Sequence, residues 1–137
     1  IDSDKRVSEL KRIWTNGCFD ILHVGHIELF KYARSLGCRL TVGIDSDKRV
    51  SELKGKNRPI NDENYRKKML SSIRWVDNVV VFNDEKELCD SVQKHADIIV
   101  VGLDYKNKRV IGSEWAEVVF FDKIEGYSTT KIIEGMK

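Results

Sequence analysis

The sequence predicts an α/β fold, a single doubly wound domain in which a five-stranded parallel sheet carries helices on both faces. Three observations point there. Short β-rich apolar runs alternate with segments of helical periodicity, and no break in composition marks a second domain. The first strand passes through a glycine-containing turn directly into a helix, over Thr15-Asn16-Gly17-Cys18-Phe19-Asp20-Ile21-Leu22-His23-Val24-Gly25-His26. A later run, Asp97 to Gly102, is almost wholly apolar, as a strand covered on both faces must be.

Residues 1–11, I-D-S-D-K-R-V-S-E-L-K, repeat residues 44–54 letter for letter. Chance does not produce such a match, an old duplication would have drifted, and structural repeats run in longer units that recur several times. The first copy is therefore treated as an artefact, comparable to a tag or fusion scar, and the domain proper is expected over residues 12–137. The competing reading is a swapped element that docks where residues 44–54 dock.

In order, Arg12 to Cys18 is the first strand and residues 24–36 the first helix, closed by Gly37 as a C-terminal cap. Arg39 to Ile44 is a second strand, so a parallel pair with a right-handed crossover is expected. Asp45 or Ser46 can cap a short helix with Val50 and Leu53 on one face. Lys54 to Asn61 is a basic loop holding the sole proline, Pro59. Asp62 to Arg74 reads as a helix with Tyr65, Met69, Leu70 and Ile73 on one face, and Arg66 beside that face aimed toward the basic loop. Asn78 to Asn83 is the third strand and Glu85 to His95 a helix. His95 is expected at the surface, favoured by the helix dipole and without a catalytic role. Asp97 to Gly102 is the fourth strand, and Gly102 opens a turn at its carboxyl end, where ligands collect in open α/β sheets, so Asp104 and Tyr105 become candidates. Residues 106–116 are irregular, with a short turn at Ser113 to Ala116, and Val118 to Phe121 is the fifth strand. Ser128 or Thr129 caps a last helix bearing Ile132 and Ile133, with Lys131 adding a cation to its first turn.

Composition excludes several classes. The chain has 137 residues, 41% hydrophobic and 34% charged, enough for one compact core with an ordinary solvated surface. A net charge of +2, with basic residues spread along the chain, leaves no nucleic-acid footprint. The three cysteines are widely spaced, which suits a reducing compartment better than a disulfide framework. No run approaches transmembrane length and no signal-peptide pattern opens the sequence, so a cytoplasmic location without a membrane partner is expected. A homodimer is compatible with the sequence.

His23 and His26 fall three residues apart where the first helix begins, so both imidazoles share one face beside unsatisfied backbone N–H groups, a place that attracts phosphate. Gly25 between them leaves room for a polyphosphate to approach. Three readings compete: zinc, with Cys18 and Cys38; histidines that only cap the helix or fill the core; and a dinucleotide fingerprint. Zinc lacks the usual ligand spacing, and neither G-x-G-x-x-G nor G-x-x-x-x-G-K-[ST] occurs. Lys54, Lys56 and Arg58 suit a triphosphate, against the simpler reading of a solvated basic turn. Asp104 is a candidate against a plain turn aspartate, and Ser128 and Thr129 against simple capping.

The ordered motifs resemble a known family. Strand, T-N-G-C-F-D-I-L-H-V-G-H, helix is similar to the H-x-G-H signature of the nucleotidyltransferase superfamily with its Rossmann-like domain. Lys54-Gly55-Lys56-Asn57-Arg58-Pro59-Ile60-Asn61 with Arg66, then Val76-Asp77, Gly102-Leu103-Asp104-Tyr105 and Gly126-Tyr127-Ser128-Thr129-Thr130-Lys131-Ile132-Ile133 resemble, in order, the heptose-1-phosphate adenylyltransferases. This chain departs from them at Val101, where a lysine is common, and at Leu103, where a second glycine is. The resemblance implies transfer of a nucleotidyl group from a nucleoside triphosphate, ATP favoured, to a sugar phosphate, with release of pyrophosphate. It implies His23, His26, Lys54 and Lys56 in catalysis, and nucleotide contacts from Thr15, Asn16, Gly17, Phe19, Gly25, Arg66, Gly102, Asp104, Gly126, Ser128 and Thr129. Mg2+ is expected with the triphosphate, bound mainly through phosphate oxygens and water, so no protein metal ligand is assigned. The alternatives are cytidylyl transfer from CTP to glycerol 3-phosphate or a related alcohol phosphate, and a nucleotide-binding module without turnover. The sequence places no Cys or Ser as an activated nucleophile, which fits a phosphate substrate that brings its own.

Overall fold

A computed structural model describes residues 10–103 and 106–122. The candidates Asp104, Tyr105, Gly126, Ser128 and Thr129, the expected last helix, and residues 1–9 of the duplicated stretch lie outside the described residues. Five strands, β1 (Arg12–Gly17), β2 (Arg39–Asp45), β3 (Asn78–Phe82), β4 (Ile98–Gly102) and β5 (Glu117–Phe121), form one sheet in the order β3-β2-β1-β4-β5. Every pairing is parallel. The helices are α1 (Val24–Ser35), α2 (Asp47–Lys54), α3 (Glu63–Ser71) and α4 (Glu85–His95).

Side-chain alternation along the strands feeds two cores. Ile13, Leu40, Val42, Ile44, Val79, Ile98 and Val100 pack with Phe30 and Ala33 of α1 and Leu70 of α3 on one face. Trp14, Phe82 and Ile99 pack with Leu88 and Val92 of α4 on the other, flanked by Val110 and Ile111. Burying a side chain such as Phe30, which is fully covered, contributes about 1.5–3 kcal/mol. Gly43 is glycine for a packing reason, since a Cβ there would collide with the Trp14 indole.

Strand order reverses direction at β1. Its register with β2 runs the whole strand, from Arg12↔Arg39 to Gly17↔Ile44, whereas its register with β4 stops after Ile13↔Ile98 and Trp14↔Ile99. Beyond that point β4 continues with β5 to Gly102↔Phe121. The carboxyl ends of β1 and β4 therefore part, which makes the crevice where open α/β sheets bind ligands.

Several local expectations change. Leu53 is exposed, and only Val50 is buried on α2, which Ser46 caps by accepting from Arg49 N. On α3 the buried positions are Arg66 and Leu70, while Tyr65 and Met69 face outward. Leu36 is the C-cap of α1 in right-handed geometry, and Gly37 is needed because a Cβ would collide with the Lys11 carbonyl oxygen, not because of a positive φ. His95 is half-buried and stacked on Trp14 with ring centroids 6.4 Å apart. Burial pushes its pKa down, with Lys94, Arg39 and Arg12 adding to the shift, so the expected gain from the helix dipole does not prevail.

Candidate active site

β1 delivers the chain to a turn whose shape depends on Phe19. Its φ is 49°, a left-handed conformation that costs a residue with a side chain some strain. Packing compensates: the ring is 7% exposed and meets His26 and Phe30 edge-on at 5.2 and 5.3 Å. It also covers Gly17, where a Cβ would lie 3.2 Å from the ring, so the glycine allows the aromatic residue to fold back.

His23 is the N-cap of α1, in extended conformation, and the two histidines form a reciprocal capping box. His23 Nδ1 accepts from Gly25 N at 3.1 Å, and His26 Nδ1 accepts from His23 N at 3.2 Å. The rings stack with centroids 3.8 Å apart. Because each Nδ1 accepts a hydrogen bond from a backbone N–H, each ring in its neutral form carries its proton on Nε2. Capping and ligand binding are thus not rival readings of the pair, since the cap fixes the tautomer that presents two Nε2–H donors. The backbone plays less part than expected: Gly25 N–H is taken by His23, and His26 N–H by the His23 carbonyl at 3.0 Å.

Of the side chains expected to meet nucleotide, three are engaged within the protein. Thr15 Oγ1 donates to Val100 O at 2.9 Å, bridging β1 and β4 where their backbone pairing ends. Asn16 Oδ1 accepts from Trp14 Nε1 at 2.9 Å. Arg66, whose side chain is fully buried, donates to the carbonyls of Asn61, Cys18 and Asp45 and to Asp47 Oδ1, at 2.7–3.0 Å. It ties the ends of β1 and β2 to the loop before α3. Gly102 ends β4 beside the crevice.

Asp20 was not a candidate from the sequence. Its side chain is fully buried, and it accepts from Ile60 N and Asn61 N at 2.8 Å each and from Arg58 Nε at 3.1 Å. The only local signal was an acidic residue inside an apolar stretch of the turn. Lys54 ends α2 and Lys56 follows in the loop, both exposed. Burial raises the Cys18 thiol pKa, while the positive charges of Lys54 and Arg66 oppose it, which places the Lys54 charge within electrostatic reach of the end of β1. A thiol held in its protonated form is no nucleophile. A cavity of about 210 Å3 lies on the α3 side of the turn, between Ile21 and Leu22 and the outward-facing Tyr65 and Met69.

Among the described residues no group of three or more His, Cys, Asp or Glu side chains gathers to hold a metal ion. The donors present are imidazole N–H groups and ammonium groups, which suit phosphate oxygens. No helix among the described residues is long and apolar enough to cross a membrane.

A doubly wound parallel sheet with paired imidazole donors at a helix start, beside the crevice, defines a phosphate-handling nucleotide fold. Residues 14–135 match the family described as cytidylyltransferase-like, and the chain belongs to that family. It is 46% identical over 136 residues to the bifunctional protein HldE of Helicobacter hepaticus (strain ATCC 51449 / 3B1), covering 97% of this chain and 28% of that one. HldE of Helicobacter pylori (strain P12) is also 46% identical, over 96% of this chain and 29% of its own. The chain thus spans little more than a quarter of the length of these relatives. Among solved structures, the lipopolysaccharide core biosynthesis protein from Thermoplasma volcanium GSS1 matches with a TM-score of 0.70 at 29% identity, over 85% of this chain and 99% of that one. A bifunctional NMN adenylyltransferase/ADP ribose pyrophosphatase from Francisella tularensis, 22% identical with a TM-score of 0.65 over 92% of this chain and 41% of that one, shares the fold. The chain is a nucleotidyltransferase, and its chemistry is nucleotidyl transfer.

Proposed function

We propose that the chain transfers an adenylyl group from ATP to a sugar phosphate such as heptose 1-phosphate. One observation carries the reading: two stacked imidazoles, locked by a reciprocal cap with their protons on Nε2, stand at the start of α1 beside the parting of β1 and β4. An oxygen of the acceptor phosphate attacks the α-phosphorus in line, the bond from that phosphorus to the bridging oxygen breaks, and pyrophosphate leaves. His23 and His26 donate Nε2–H to phosphate oxygens as negative charge grows there. Lys54 and Lys56 neutralise the leaving phosphates. Thr15, Asn16, Gly17 and Phe19 meet the nucleotide through backbone, because the side chains of the first two are engaged elsewhere and the Phe19 ring is buried. Asp104, Gly126, Ser128 and Thr129 complete the site on the strength of the family resemblance. Mg2+ would accompany the triphosphate and would supply charge neutralisation beside Lys54 and Lys56.

The choice of ATP and a heptose phosphate rests on the K-G-x-x-R-P-x-N, D-Y and S-T-T-x-I-I stretches and on the similarity to HldE. Cysteines that are all free among the described residues suit a cytoplasmic enzyme. The test is pyrophosphate release in competition between ATP and CTP, with heptose 1-phosphate and with glycerol 3-phosphate as acceptors. Preference for ATP with heptose 1-phosphate supports the reading. Preference for CTP with glycerol 3-phosphate replaces the substrates, and nucleotide binding without pyrophosphate overturns turnover.

A further inference from the structure

Asp20 has a chemistry that nucleotidyl transfer does not use directly. A carboxylate with no exposed side-chain surface cannot meet substrate, and burying it is costly unless its lone pairs are filled. Among the described residues they are filled by one short segment, through Ile60 N, Asn61 N and Arg58 Nε. The Asn61 side chain returns the contact, donating from Nδ2 to the Asp20 carbonyl at 2.7 Å. Four hydrogen bonds therefore join the histidine-bearing turn to the far end of the basic loop, about forty residues away in sequence.

The near end of that loop is also closed. Gly55 turns the chain at φ 103°, Arg58 N donates to Gly55 O at 3.1 Å, and Ser51 Oγ donates to Arg58 O at 2.7 Å. Lys56 and Asn57 form the tip of this turn, and Arg58 belongs both to the turn and to the Asp20 contact. On its other side Asp20 follows Phe19, whose ring abuts His26, and precedes the His23 cap by three residues. One carboxylate thus connects the loop to the imidazole pair, by hydrogen bonds on the loop side and by the Phe19–His26 ring contact and chain continuity on the other. The arrangement retains a cost that a purely structural ion pair would shed, since Arg58 Nη2 is buried without a partner among the described residues.

We propose that Asp20 is a positioning residue that fixes the Lys54–Asn61 loop relative to His23 and His26, so that Lys56 meets the same triphosphate as the imidazoles. The proposal rests on the nucleotidyl-transfer reading only for the identity of the ligand. Its specific consequence is coupling: Lys56 contributes to triphosphate binding only while Asp20 holds the loop. A residue that merely stabilised the fold would lower the melting temperature and leave the cost of losing Lys56 unchanged.

The experiment is a double-mutant cycle on the full chain, with the dissociation constant of ATP in the presence of magnesium read by titration calorimetry. Lys56→Ala is expected to weaken binding about 10-fold in the native background, the usual scale for one charge-assisted contact. In the Asp20→Asn background the same change is expected to cost less than about 2-fold, because the lysine is already displaced. An equal loss of about 10-fold in both backgrounds overturns the proposal. If circular dichroism shows Asp20→Asn to be unfolded, Asp20→Glu takes its place, keeping the charge while moving the carboxylate by one methylene. Loss of the Lys56 effect in that background supports the proposal, and its retention overturns it. Pyrophosphate release by the native chain is scored separately. Turnover with additive binding costs overturns the positioning role alone, while failure of the native chain to bind either ATP or CTP overturns both readings.

Discussion

The histidine pair makes one prediction that separates its structural and chemical duties, because the two ring nitrogens of His26 do different work. Nδ1 caps the helix by accepting from His23 N at 3.2 Å, and the ring edge contacts Phe19 at 5.2 Å, while Nε2–H is the donor assigned to phosphate. His26→Ala removes everything: the cap is worth about 1 kcal/mol and an aromatic edge contact about 0.5–1.5 kcal/mol. A stability loss of about 2 kcal/mol is therefore expected. His26→Asn places Oδ1 near the position of Nδ1, so it keeps the cap and forfeits the ring contact, at about 1 kcal/mol. Turnover should respond differently, because both variants lack Nε2–H. Each is expected to lose about 10²–10³ in kcat, the scale for one transition-state donor. Urea denaturation followed by tryptophan fluorescence and pyrophosphate release on the same preparations give the two readouts. An asparagine variant that turns over like the native chain would refute the Nε2–H assignment, and an alanine variant as stable as the native chain would refute the cap.

Three further outcomes follow from the packing. Gly43→Ala drives a methyl group into the fully buried Trp14 indole, and a loss of about 1–3 kcal/mol in thermal or urea denaturation is expected for such overpacking; an unchanged midpoint would contradict it. Arg66→Leu strips donors from three backbone carbonyls and from Asp47, with roughly 1–3 kcal/mol lost for each buried acceptor left unpaired. Arg66→Lys should not restore stability, because an ammonium cannot span four acceptors in a fixed plane. His95 has its pKa lowered below 6.5 by burial, so the unfolded chain takes up that proton first. Its contribution is complete above about pH 6.5 and declines as pH falls toward the folded-state value, which a proton NMR titration of His95 and denaturation at several pH values can follow. Titration of His95 at or above 6.5 would refute that ordering.

What the sequence disclosed and what it withheld divide along the range of the interactions involved. The strand, turn and helix that carry His23 and His26 are contiguous, so periodicity and spacing reach them directly, as they do the buried strand β4. Asp20 gave only the weak signal of an acidic residue among apolar neighbours, because its meaning lies in backbone donors at Ile60 and Asn61 that are distant in sequence. Arg66 withheld its internal partners for the related reason that a cation next to a basic loop is read from its neighbours in sequence, whereas the carbonyls it serves lie at the ends of β1 and β2. Tyr65 and Met69 fit a buried helical stripe, yet the buried positions on α3 went to Arg66 and Leu70 because the carbonyl ends of β1 and β2 needed donors. The structure suggests a sorting rule for the cations of this site. Guanidinium groups, planar and able to serve several acceptors at once, build the walls: Arg66 spans four acceptors and Arg58 pairs with Asp20. Lys54 and Lys56 are exposed and make no ion pair among the described residues, so their compact, rotatable ammonium groups remain available for an anion. Counting basic residues near a helix start therefore does not say which of them are open to an anion, and that follows only from asking which charges the protein has already spent on its own carbonyls.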